Sequence, residues 1–143
     1  MRIVALSDQH GFLPDVPACD LLIVAGDICP DRFGPFMAVH DPHQQQAWFD
    51  RTGRPWLAAT PATHKLLTWG NHDWCGQMCS FRSDSRELLD AIERVRPRIV
   101  ICGHVHGGFG RYKHQGVQIY NVSVVDEGYR LVNAPTVIDL PGI

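Results

Sequence analysis

The chain has 143 residues, 45% hydrophobic and 20% charged, which fits one globular domain over residues 1–143 and leaves little room for a second. Lys plus Arg is 13 against 15 for Asp plus Glu, and a net charge of -2 removes any whole-chain electrostatic reason to expect a nucleic acid or an anionic membrane as partner. No stretch of about eighteen apolar residues marks a membrane span, MRIVALSD carries no basic leader or cleavage site, and the odd, scattered set Cys19, Cys29, Cys75, Cys79 and Cys102 argues against a disulfide framework; a reducing cytoplasm is the expected compartment.

Short buried strands alternate with helices, which predicts an α/β architecture. Ile3 to Leu6 and Leu21 to Ala25 are continuous apolar runs of strand length, as expected where both faces of a sheet are covered. Asp41 and Pro42 supply an N-cap and a first-turn proline for a helix through Gln44 to Phe49. Leu66 to Trp69 reads as a third strand. Asp84 with Glu87 resembles a capping box, after which Leu88, Leu89, Ile92 and Val95 share one helical face until Pro97. Ile99 to Cys102 is a fourth strand. Val117 to Val122 and Thr136 to Leu140 read as antiparallel strands, with a turn at Gln115-Gly116. Cys75 and Cys79 lack the second pair that a structural zinc site needs.

The informative residues stand at the carboxyl ends of the first four strands. They are Asp8-Gln9-His10, Gly26-Asp27, Gly70-Asn71-His72-Asp73 and Gly103-His104-Val105-His106. In a parallel sheet those ends share one edge, where α/β proteins build their sites. Asp-x-His and His-x-His put two donors on one side of an extended segment, because side chains alternate with a period of two. The glycines before Asp27, Asn71 and His104 let the backbone turn sharply beside an ion or a phosphate. Taken singly, each block also has an ordinary reading as turn chemistry, and GHVHGG as a glycine-rich hairpin. The collection of carboxylates, an amide and imidazoles at successive strand ends is what favours a metal centre. Such mixed donors suit Mn, Fe, Co, Ni or Zn alike.

In this order the four blocks resemble the calcineurin-like metallophosphoesterases, and SRELLDAIERVRP, GHVHGGFG and YNVSVVDEGYRLVNAPTVIDLP look like the MPPED branch of that superfamily. The resemblance implies a sandwich of mixed sheets flanked by helices and two divalent ions sharing one aspartate. Asp8, His10, Asp27 and His106 would hold the first ion, and Asp27, Asn71 and His104 the second, with manganese the first choice. It further implies hydrolysis of a small phosphodiester, a cyclic nucleotide among the options, by a water activated between the ions. His72 would serve the leaving oxygen and Asp73 would orient its ring. Relatives carry a further strand and a histidine between GNHD and the helix before GHxH. No histidine lies between His72 and His104 here, so the chain resembles a reduced member missing strands of one sheet through an internal deletion. The second ion is then expected to bind more weakly, completed by water or by His40, His43 or His64. Exposed sheet edges, with Trp74, Met78 and Phe81 nearby, predict a homodimer. The alternative function is a metal-binding scaffold or interaction module with impaired turnover.

Overall fold

Apolar strands need hydrogen-bonding neighbours, and the chain supplies them in two mixed sheets, as seen in a computed structural model that describes residues 1–34, 41–76, 90 and 92–141. In chain order the strands are β1 (Arg2–Leu6), β2 (Cys19–Ala25), β3 (Ala62–Thr68), β4 (Ile99–Cys102), β5 (Gly110–His114), β6 (Val117–Asn121) and β7 (Thr136–Asp139). The first sheet has the order β3-β2-β1-β7, with β1, β2 and β3 parallel and β7 antiparallel to β1. The second has the order β4-β6-β5, with β4 parallel and β5 antiparallel to β6. Two mixed sheets and few helices agree with the expected reduced α/β fold.

The fourth strand departs from expectation. It does not extend the sheet of the first three but belongs to the second sheet, because its apolar residues meet β6 (Val100 opposite Ile119). Likewise β6 and β7 do not pair with each other. Gln115 and Gly116, both at positive φ, turn β5 into β6, while β7 pairs with β1. The sheets meet at a seam. Ser7 N–H donates to the Val122 carbonyl at 3.0 Å and Val124 N–H to the Ser7 carbonyl at 3.0 Å, while Val122 N–H reaches the Cys102 carbonyl at 2.9 Å. The end of β4 is thereby brought beside the end of β1.

Asp41 caps the first helix as its position predicts, accepting from His43 N–H at 2.9 Å and Gln44 N–H at 3.1 Å, with Pro42 in the first turn. Helix α1 (Pro42–Trp48) does not stop at Phe49. It widens into a π-helical turn (Phe49–Gly53), in which Arg54 N–H bonds the Phe49 carbonyl five residues back, and resumes as α2 (Arg54–Ala59). Pro55 explains the widening: it lacks an N–H and its ring would crowd the carbonyl four residues earlier in a regular helix. The core under this helical run combines Val4 and Leu6 of β1, Leu22 and Val24 of β2, Ile28, Phe49, Val124 and Val125. Of the later helix, residues 92–95 are helical. Ile92 is buried but Val95 is exposed, and Asp84, Glu87, Leu88 and Leu89 lie outside the described residues. No helix among the described residues is long and apolar enough to cross a membrane.

The buried residue of α1 is polar. Gln45 Nε2 donates to the carbonyls of Pro30 at 3.1 Å and His72 at 2.8 Å, and its Oε1 accepts from Cys75 N–H at 3.2 Å. One side chain thus pins the loops that follow β2 and β3. Gln45→Leu leaves these peptide groups without partners and is expected to cost about 2 to 4 kcal/mol, a fall in Tm of roughly 5 to 15 °C in thermal denaturation. Gln46→Leu, on the exposed side, is expected to stay within about 0.5 kcal/mol.

Candidate metal centre

The loops after the strands run past one another in register. Asp8 N–H bonds the Gly26 carbonyl at 3.0 Å, His10 N–H the Asp27 carbonyl at 2.9 Å and Gly11 N–H the Ile28 carbonyl at 2.9 Å. Asp8, His10, Asp27 and His104 all sit in the left-handed region, at φ 55°, 43°, 55° and 71°. Residues with a Cβ rarely adopt that conformation, and four of them in one place concentrate strain in these loops. The buried Asp8 carboxylate accepts from Ser7 Oγ at 2.8 Å and from His104 N–H at 2.9 Å to each oxygen. Gly103 permits this approach, since a Cβ there would run into Ser7 Oγ and Asp8 Oδ2.

Three imidazoles gather over this floor. His106 Nε2 lies 3.8 Å from Asp8 Oδ1, and its Nδ1 meets the Asp126 carbonyl at 3.1 Å. A carbonyl only accepts, so in neutral His106 the proton is on Nδ1 and the Nε2 lone pair faces Asp8. Asp31 does the same for two more rings, receiving His10 Nδ1 at 3.2 Å and His72 Nδ1 at 2.8 Å on one oxygen. His10 Nε2 is buried and has no hydrogen-bond partner. Ligand atoms of Asp8, His10 and His106 all lie within 4.8 Å of one another, and so do those of His10, Asp31 and His72. Tyr129 closes the cluster. Its ring centroid is 4.7 Å from that of His10, 5.0 Å from that of His106 and 6.4 Å from that of His72.

The eight residues singled out in the sequence are therefore not equally placed. Asp8, His10 and His106 converge, and His72 stands beside them through Asp31. Asp27 is buried, and its Oδ1 accepts from His72 N–H at 2.7 Å. Asn71 and His104 have exposed side chains, and among the described residues neither His43 nor His64 belongs to a ligand group; His40 lies outside them. Asp73 is placed otherwise than its neighbour in sequence suggests. Its buried carboxylate accepts from the N–H groups of Ile28 at 3.3 Å, Cys29 at 2.8 Å and Gly70 at 2.9 Å, while Asp31 is the carboxylate that holds the His72 ring. Asp31 and Tyr129 were not singled out in the sequence; Asp31, four residues beyond Asp27, is the nearer in signal. Cys29 and Cys75 bring their sulfurs to 3.6 Å, while Cys79, Met78 and Phe81 lie outside the described residues. A cavity of about 620 Å³ opens elsewhere, among Arg98, Arg111, Tyr120, Val137 and Leu140, and none of the eight residues lines it.

With this geometry in place, relatives can be set beside it. Over 56 residues, 38% of this chain, the sequence is 43% identical to metallophosphoesterase domain-containing protein 1 of Homo sapiens, and equally to that of Mus musculus. The matched stretch covers 17% of each relative's length, so the chain spans a small part of the curated proteins it matches. No family model matches the chain. The chain is related to a metallophosphoesterase domain protein over that segment.

The donors fit a divalent cation. An orphaned, buried Nε2 on His10, an Nε2 lone pair on His106 and the Asp8 carboxylate form a hard and borderline donor set of the kind such ions take. Each imidazole has its far nitrogen fixed by an oxygen acceptor, which orients the ring and sets its tautomer.

Charge in the metal-free protein is distributed accordingly. For His10, burial opposes the imidazolium, but the bond to Asp31 and the fields of Asp31, Asp27 and Asp8 outweigh it and raise the pKa. For Asp31, burial works against ionisation, yet the bonds from His10 and His72 hold its carboxyl far below the usual range. Burial pushes Asp27 upward. The Asp31 contribution to stability is present above about pH 4 and is lost as pH falls through its lowered folded value. The His10 contribution is present below about pH 6.5 and is lost as pH rises through its raised folded value. In the presence of a chelator, the gap in Tm between the natural protein and Asp31→Asn is expected to be widest between about pH 4 and 6.5 and to narrow toward pH 9; a gap independent of pH would show that the pair carries no such linkage.

Proposed function

We propose that this chain is a divalent-cation-dependent phosphoesterase acting on small phosphodiesters, with cyclic nucleotides among the candidates. The observation that carries the reading is the set of three imidazoles, His10, His72 and His106, each engaged at Nδ1 by an oxygen acceptor, around the buried carboxylates Asp8 and Asp27. The relationship to a protein named for its metallophosphoesterase domain supports it. In this reading Asp8, His10 and His106 hold the first ion with Asp27 alongside, and Asp27, Asn71 and His104 serve a second, weaker one, with manganese placed first. When bound, such ions supply Lewis acidity toward phosphoryl oxygens and lower the pKa of a water.

The chain's own residues supply the rest. His72, its Nδ1 held at 2.8 Å by Asp31, is the residue that gives a proton to the departing oxygen in this reading. Asp31 orients the ring for that transfer through the same bond. Asp73 acts one step back: its three backbone bonds fix the loop on which His72 stands. The same reading takes residues 74–83 as the place where relatives carry additional strands. A second reading, a metal-binding scaffold without turnover, is favoured by the exposed Asn71 and His104.

Hydrolysis of bis(4-nitrophenyl) phosphate with added Mn separates the two. Metal-dependent turnover is expected, and its absence with Mn, Fe, Co, Ni and Zn alike would leave the scaffold. Asp8→Ala is expected to lose both bound metal and activity. His72→Ala is expected to keep its metal and slow turnover by roughly 10²- to 10⁴-fold for a poor leaving group, less for nitrophenolate. Equal metal loss in the two variants would refute these roles.

A further inference from the structure

One group in the centre has no part in the chemistry above. Tyr129 lies at the tip of a turn that is unusually well held. Asp126 accepts at Oδ1 from the N–H groups of Gly128 at 2.9 Å and Arg130 at 3.0 Å, and at Oδ2 from Arg130 Nε at 2.8 Å; its carbonyl accepts from Tyr129 N–H at 2.9 Å. A bridge between Val125 and Leu131 closes the base of the turn. The reward for this clamping is a tyrosine at φ 58°, a conformation that residues with a Cβ seldom take. That same Asp126 carbonyl holds His106 Nδ1, so the tyrosine and a ligand of the proposed first ion are set by one residue.

The ring meets its neighbours edge to face. Its plane is inclined 66° to His10 and 83° to His106, and Tyr129 remains 43% exposed. A side chain serving only as core would be sealed in, and one serving only as surface would not be placed in strain over three imidazoles. Resting on the phosphoesterase reading for the position of the phosphoryl group, we propose that Tyr129 is a substrate-contacting residue, its ring forming the wall against which an aromatic substituent of the phosphoester lies. Aromatic faces prefer aromatic partners beyond the area they bury, and every aryl or nucleobase group offers one. Tyr129 then sets a preference for aryl over small alkyl phosphoesters without touching the reacting atoms.

Binding of phenylphosphonate and methylphosphonate to the Mn-loaded protein, by titration calorimetry, tests this without turnover. The natural protein is expected to bind the phenyl compound more tightly. Tyr129→Leu, which keeps bulk but no ring, is expected to weaken phenylphosphonate roughly threefold to tenfold while leaving methylphosphonate and Mn stoichiometry unchanged. Tyr129→Phe is expected to retain the phenyl preference. Equal weakening of both ligands, an unchanged phenyl preference in Tyr129→Leu, or binding of neither ligand by the natural protein would overturn the proposal. Ring-dependent phenylphosphonate binding in a protein that hydrolyses nothing would sink the enzyme reading and keep the wall; turnover without ring dependence would do the reverse.

Discussion

Buried carboxylates are the constraint on which the centre depends. Asp8, Asp27 and Asp73 are all removed from water, and a carboxylate without solvent must find donors within reach or give up its charge. Each finds backbone N–H groups belonging to another strand's terminus. His104, following β4, serves Asp8; His72, following β3, serves Asp27; Ile28 and Cys29, following β2, serve Asp73. The need to solvate these anions thereby stitches four loops into one rim. Side chains carried on those loops inherit positions that loops alone would not hold, and the left-handed backbone at Asp8, His10, Asp27 and His104 is tolerated because the stitching over-determines it.

Much of this was legible in the sequence, for identifiable reasons. Apolar runs of strand length located β1, β2 and β4, and polar residues immediately beyond them located the rim. What a buried strand does not encode is which neighbour it will meet. Val100 and Ile101 would suit the first sheet as well as the second, and only the seam at Ser7 and residues 122–124 decides. β5 was missed because Gly110 to His114 has no alternating apolar face; it is held by its hairpin with β6. The helical run beyond Phe49 was hidden by Gly53 and Pro55, which ordinarily end helices and here are absorbed by a π-helical turn.

Within the centre the differences in placement share one cause, which is that adjacency along the chain is not adjacency in space. Asp73 follows His72 directly, yet its carboxylate points into the protein toward backbone amides, while Asp31, 41 residues away, takes the ring. Tyr129 gave no signal because its placement comes from a hairpin that pattern reading does not resolve. Gln45 shows the same thing from the packing side: a glutamine among three consecutive glutamines is the one turned inward, and nothing local distinguishes it from Gln44 or Gln46.

The seam between the sheets also fixes an order of events. Met1 and Leu140 bond each other across a separation of 139 residues, and Asp8 receives its donors from a residue 96 positions later. Contacts this distant close large loops before any compensating interaction forms, so they belong to the slow part of folding. As the chain emerges, β1 can pair with β2 at once, but its other edge stays bare until residues 122–124 and then β7 arrive. Asp8 and His10 are consequently present long before His106 and the turn that holds it. Convergence of Asp8, His10 and His106 is therefore a late event, and the early species offers an unpaired strand edge to whatever else is nearby.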